Sequence, residues 1–166
     1  MAAWLDFALS RKGNVFRSLW ERLSRIPGGS QVFDGVIARA IPYTGSVRPH
    51  VEELRQGYAR VSMRDRRAVR NHLDCIHAVA LANLAEYTGN LALAFSLPDD
   101  ARFIVAGMSV RYLKKARGRV TGTCTSPEIA DSLEREYDVL VELRDRQGDL
   151  VADATLRTLV GPKRAR

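Results

Sequence analysis

The sequence predicts an α+β domain. Three observations carry that expectation: a long helical segment that is apolar nearly all round, four consecutive strand-like segments after it, and an amphipathic helical lead-in before it. A hairpin-rich, mostly antiparallel sheet must then curl around the apolar helix to bury it.

Residues 13–26 place Val15, Phe16, Leu19, Trp20, Leu23 and Ile26 at helical spacing, with Arg17, Glu21, Arg22 and Arg25 between them, and Pro27-Gly28-Gly29 stops the helix. A short apolar segment, 32–41, runs into Pro42, where it is expected to break. Residues 46–64 read as two extended segments joined at Arg55-Gln56-Gly57, the second with Tyr58, Arg60 and Ser62 opposite Ala59, Val61 and Met63. Over 76–95 the residues Ala78, Val79, Ala80, Leu81, Ala82, Leu84, Ala85, Leu91, Ala92 and Leu93 leave almost no polar face. Its alanines imply that another element approaches it closely.

After a turn at Leu97-Pro98-Asp99-Asp100 come the four strands. In 103–113, Ile104, Ala106, Met108, Val110 and Tyr112 share one face. Val120, Gly122 and Cys124 do so in 117–125, and Tyr137, Val139, Val141 and Leu143 in 136–144. Leu150, Ala152, Ala154, Leu156 and Val160 do so in 150–160, after a hairpin turn over 145–149. The chain divides into a helical extension (1–41), a main domain (42–160) and a loose basic tail (161–166). One sheet cannot cover a helix on every side, so a homodimer or a dimer of dimers is expected.

The 166 residues suit one domain, and 46% hydrophobic content fills a core that 7% aromatics oblige to be aliphatic. No apolar run approaches the ~18 residues of a membrane span. Met1 to Asp6 carries an early acid and is not a secretory signal. Cys75 and Cys124 make neither a disulfide scaffold nor a zinc motif, and Asp74, Cys75 and His77 lack a completing metal ligand. A reduced, cytoplasmic setting follows. The net charge of +7 points to an anionic partner: nucleic acid, a membrane surface or a phosphorylated ligand.

The polar residues around the apolar helix are the candidates for chemistry. Glu86 stands between Ala85 and Tyr87 in a stretch expected to be buried, where a carboxylate is expensive unless it has a function or a partner. The stretch from Asn71 through His77 and Ala78 to Glu86 resembles the active-site segment of hot-dog-fold acyl-CoA thioesterases, nearest the phenylacetate-pathway type and an uncharacterised bacterial branch. Asn71, His77 six residues on, and Glu86 nine further match the family spacing. The resemblance covers about residues 42–160 and implies a hot-dog fold and hydrolysis of a thioester. Coenzyme A would enter as part of the substrate, and no separate cofactor or metal is implied.

The resemblance implies roles as well. Glu86 takes the place of the carboxylate that attacks the thioester carbonyl or activates water. The Ala78 N–H takes the oxyanion place at a helix N-terminus. Asn71 orients water or substrate, and His77 shapes the loop. The nine helical residues from His77 to Glu86 rise roughly 13.5 Å. Ala78 and Glu86 of one chain therefore cannot both touch one carbonyl carbon, and a composite site between two subunits is expected.

Three positions depart from the family pattern: Ala78 replaces the glycine after the His, Glu86 replaces the commoner Asp, and Lys114 stands where a Ser or Thr often helps. These departures leave a non-catalytic acyl-CoA or lipid-binding protein as the alternative. A hydratase pairing His72 with Glu86 is a lesser one, since the Pro-Gly-rich stretch of those enzymes is missing. Arg60, Arg64, Arg66, Arg67 and Arg70 form one basic cluster, and Arg111, Lys114, Lys115, Arg117 and Arg119 another. Of these, Arg111, Lys114, Lys115 and Arg117 are the candidates to hold coenzyme A phosphates. Nucleic acid is not expected, because no reader motif or aromatic platform accompanies them.

Overall fold

The computed structural model describes residues 14–163. The readings of Met1 to Asp6 and of Arg164 to Arg166 lie outside the described residues. Helix α1, Val15–Leu23, starts where the Asn14 side chain accepts from the Arg17 N–H at 3.0 Å. It lies on the end of the long apolar helix: Asn14 Nδ2 donates to the Ala94 carbonyl at 2.6 Å, and Arg17 donates to the carbonyls of Phe95 (2.8 Å) and Leu97 (2.7 Å). These are the carbonyls a helix C-terminus leaves unpaired, and a guanidinium also suits the negative end of the helix dipole.

The segment 32–41 is helical, part of α2, Gly29–Ala40. Pro42 ends α2 and opens α3, Pro42–Val47, from the first helical position, where its missing N–H costs nothing. Residues 46 and 47 thus close a helix and do not begin a strand. Trp20 of α1 meets Phe33 of α2 edge-on, centroids 5.1 Å apart. Gly45 lets α3 cross α2, since a Cβ there would stand 2.7 Å from the Ala38 carbonyl oxygen.

Six antiparallel strands form one sheet in the order β1-β2-β4-β5-β6-β3. They are β1 His50–Arg55, β2 Tyr58–Met63, β3 Ala101–Tyr112, β4 Val120–Thr125, β5 Arg135–Arg144 and β6 Leu150–Pro162. Gly57, at φ 71°, turns β1 into β2. Strand β6 continues through Gly161 and Pro162, which the sequence reading assigns to the tail. The apolar helix is α4, Ala78–Ser96, and it lies across the inner face of the sheet. The expected close approach is at Gly89, where a Cβ would stand 2.5 Å from Leu156 Cδ1 and 3.1 Å from Val141 Cγ2. This is the curled sheet around a central helix that the sequence predicts.

Edge strand β3 differs from expectation. A bulge between Val105 and Gly107 breaks the single face drawn through Ile104, Ala106, Met108, Val110 and Tyr112. Ile104 pairs with Leu159 on the outer face, while Met108, Val110 and Tyr112 pair with the inward-facing Leu156, Ala154 and Ala152. Met108 and Tyr112 therefore sit beside α4 and remain 42% and 50% exposed.

Candidate active site

The loop before α4 is built by Asn71. Its carboxamide oxygen accepts from the N–H groups of Leu73 (2.9 Å) and Cys75 (3.4 Å) and from the Cys75 thiol (3.4 Å). Its own N–H bonds the Cys75 carbonyl at 2.9 Å, closing a turn that places Asp74 at φ 51°. The Asn71 Nδ2 group bonds no described residue and keeps both donors. Arg70 braces the turn, with Nε on Asp65 at 2.6 Å and Nη1 on Asp74 at 2.7 Å. That pairing, led by the Arg70 hydrogen bond, holds the Asp65 carboxyl below the usual carboxylate range. Arg117 Nε donates to the Asp74 carbonyl at 3.1 Å.

His77 is the N-cap of α4. Its backbone N–H bonds the Val69 carbonyl at 2.8 Å, and its ring Nδ1 accepts from the Val79 N–H at 3.1 Å. A neutral His77 in this arrangement carries its proton on Nε2. The Ala78 N–H heads the helix and has no acceptor among the described residues, as expected of a first helical donor. The Ala78 carbonyl accepts from the Tyr112 hydroxyl at 3.2 Å. The helix thus presents a fixed, unpaired N–H at its positive end.

Glu86 is half-buried, where the sequence reading expects it buried. The reason is an open stripe along α4: Val79 is 49% exposed, and Ala82, Glu86 and Asn90 follow at helical spacing, each partly exposed. The sheet and helices α1 and α3 cover the other sides of the helix, with Asn83 donating to the Thr44 hydroxyl at 3.2 Å. The Glu86 carboxylate makes no hydrogen bond or ion pair with any described residue. It stands eight residues from Ala78, roughly 12 Å of helical rise. The chain brings Asn71, His77 and Ala78 together at one end of α4 and holds Glu86 two turns further along the same helix.

The cations picked out for coenzyme A are mostly engaged. Arg111 forms a two-pronged pair with Asp153 at 2.8 and 2.6 Å, and Lys114 reaches Asp145 at 2.8 Å and Asp149 at 2.5 Å, tying β3 to the β5–β6 hairpin. Arg117 serves the Asn71 turn, and Lys115 is exposed with no partner among the described residues. His72 is exposed in the turn. Among the described residues no cluster of three His, Cys, Asp or Glu side chains could hold a metal ion, and no helix is long and apolar enough to cross a membrane. Sequence reasoning missed Tyr112 as a partner of Ala78. Its signals were an aromatic on an alternating strand and Gly107, an isolated glycine of the kind that marks a bulge.

The chain resembles several solved structures. One, from a structural-genomics effort, is 30% identical, with a TM-score of 0.78 over 89% of this chain and 98% of that one. A Pseudomonas aeruginosa protein of unknown function, described as a probable thioesterase, is 22% identical, with a TM-score of 0.73 over 82% of this chain and 97% of that one. A thioesterase from Haemophilus influenzae is 13% identical, with a TM-score of 0.71 over 82% and 93%. No curated protein matches. The fold is thus the hot-dog fold of thioesterase-family proteins, and the chain, whose residues 29–160 match the family described as a domain of unknown function (DUF4442), belongs to that family.

Proposed function

We propose that the protein hydrolyses an acyl-CoA or acyl-carrier thioester at a site shared by two subunits. The observation that carries this reading is Glu86: a carboxylate without a partner among the described residues, on the stripe of α4 that the sheet and the N-terminal helices leave open. The thioesterase names of the structural neighbours support it. The thioester carbonyl oxygen takes the Ala78 N–H of one subunit, and Glu86 comes from the other. Two routes balance. In one, a Glu86 oxygen bonds the carbonyl carbon, the C–S bond breaks as the thiolate leaves and is protonated, and water then hydrolyses the anhydride to free the acid and the Glu86 carboxylate. In the other, Glu86 removes a proton from water as the water attacks, and the thiolate leaves and is protonated. The unpaired Asn71 Nδ2 donors orient the water or the substrate.

The open stripe and β3 support a dimer. The free edge of β3 offers unpaired backbone groups, and the exposed Tyr112, whose hydroxyl reaches Ala78, lies beside Val79, with the exposed Met108 further along the same strand. A second copy set against this edge covers all three and brings its own α4 near. Under this reading the protein works in the cytoplasm as a homodimer or a dimer of dimers.

Hydrolysis of acyl-CoAs of varied length and aromaticity tests the proposal. Glu86→Gln should abolish turnover while the fold is kept; undiminished hydrolysis would remove Glu86 from the reaction. Ala78→Pro deletes the oxyanion N–H at a position that proline favours. Mixing Ala78→Pro chains with Glu86→Gln chains should restore part of the activity, because one of the two sites then has both groups intact. Mixed dimers without rescue overturn the shared site. Tight acyl-CoA binding without any hydrolysis favours the non-catalytic alternative.

A further inference from the structure

A cavity of about 650 Å³ lies between helices α2 and α3 and the β1–β2–β4 side of the sheet. None of Asn71, His77, Ala78 and Glu86 lines it. Four arginines line it, Arg48, Arg64, Arg66 and Arg119, against two acidic residues, Asp34 and Asp65. Both carboxylates are already committed. Asp34 takes the His50 ring at 2.6 Å and the Val51 N–H at 3.1 Å, while Asp65 takes Arg70 at 2.6 Å and the Gly118 N–H at 2.8 Å.

The cations are less well served. The guanidinium groups of Arg48 and Arg64 make no hydrogen bond or ion pair with any described residue. Arg66 donates to the Ser46 carbonyl. It also sits close enough to Arg48 for that second positive charge to oppose its own. Arg48 holds φ 53° and ψ 57°, a left-handed backbone that costs a non-glycine residue roughly 1–2 kcal/mol. The Arg119 Nε is fully buried without a partner, although its Nη2 reaches Ser62 at 2.7 Å and also Glu52.

Polar and apolar walls complete the pocket. Tyr87 of α4 is only 5% exposed and lines it, yet its hydroxyl bonds no described residue. Burial pushes that phenol upward from its ordinary value, so it remains an O–H donor. Ile37 and Ala38 supply apolar surface. The volume lies within the range of small-molecule sites and exceeds what a bare inorganic anion fills.

We propose that this cavity binds a small phosphorylated organic molecule, with the phosphoryl group between Arg48 and Arg66 and the organic part against Ile37, Ala38 and the Tyr87 hydroxyl. The lining carries two positive charges in excess, which a phosphomonoester dianion balances and a single carboxylate only halves. Planar guanidinium forks also match phosphate oxygens. The ligand is either the nucleotide end of a coenzyme A thioester or a separate phosphorylated molecule. The site stands on the cavity alone, not on the proposed hydrolysis.

Calorimetric titration of the full chain distinguishes these cases, using phenyl phosphate, benzoate and adenosine 3′,5′-bisphosphate as probes. At least one phosphate probe should bind once per chain and more tightly than benzoate. Arg48→Asn, which keeps a residue tolerant of the left-handed backbone, and Arg66→Gln should each weaken that binding by about tenfold or more. Glu86→Gln should leave it unchanged, so failure of the hydrolase reading and failure of this one are separately visible. Binding of the bisphosphate alone assigns the site to the nucleotide end of coenzyme A, and binding of phenyl phosphate assigns it to a separate ligand. Absence of binding by either phosphate, equal binding of benzoate, or binding unaffected by both arginine variants overturns the proposal.

Discussion

Tyr112, on the edge strand β3, donates its hydroxyl to the carbonyl of Ala78, the first residue of α4, at 3.2 Å. The same peptide unit is held from its other side, where the Val79 N–H bonds His77 Nδ1 at 3.1 Å. The peptide plane following the Ala78 N–H, the proposed oxyanion donor, is therefore pinned at both its oxygen and its nitrogen. A neighbouring strand and the cap residue fix the orientation in which the helix presents the Ala78 N–H.

Tyr112→Phe removes one of these two pins and little else. A hydrogen bond of this kind is worth about 1 kcal/mol, or roughly a fivefold change in rate if its strength is felt in the transition state. We expect kcat/KM for thioester hydrolysis to fall by about that factor, with the melting temperature within a few degrees of the parent. Unchanged kinetics would show that the Ala78 peptide is held well enough by His77 alone.

Much of this arrangement was legible in the sequence. The apolar run around Leu81, Leu84 and Leu91 marks the central helix, and its alanines imply a close approach, which the structure has at Gly89. The Asn71–His77–Glu86 spacing picked out both ends of the candidate site. What escaped notice depends on contacts distant in sequence. The segment 32–41 reads as a short apolar stretch, and only the crossing of α2 over α1 and α3 gives its apolar side something to bury against. The β3 bulge shifts the facing of Met108 and Tyr112, and its one sequence mark, Gly107 inside the strand, does not tell which way the facing turns. Arg48 lies outside both basic clusters in the sequence, and folding of α3 brings it beside Arg66.

Gly89 tests the packing of α4 on the sheet. A Cβ there would stand 2.5 Å from Leu156 Cδ1, 3.1 Å from Val141 Cγ2 and 3.3 Å from Val139 Cγ1, all side chains of the closed core. Gly89→Val should lower stability by about 1–3 kcal/mol, the usual cost of overpacking. Gly89→Ala should lose less, because alanine regains up to about 1 kcal/mol of helix propensity. Urea unfolding of the two variants checks the order. A valine variant as stable as the parent would mean that α4 lies further from β5 and β6 than described.

Asp65 ties the Asn71 turn to the rest of the fold, and its effect has a definite pH signature. Its side chain is only 7% exposed, against 39% for its Arg70 partner, and the Arg70 bond followed by the Gly118 N–H holds its folded pKa below the ordinary 3.8. A carboxylate depressed in the folded state contributes stability that is fully present above its unfolded value and is lost as pH falls through its folded value. Asp65→Asn should therefore be less stable than the parent at neutral pH, and the gap should close once pH drops below 3.8 and through the lower folded value. Urea midpoints of the two proteins measured down through that range read this directly. A gap that stays constant with pH would assign the contribution of Asp65 to packing and not to its charge.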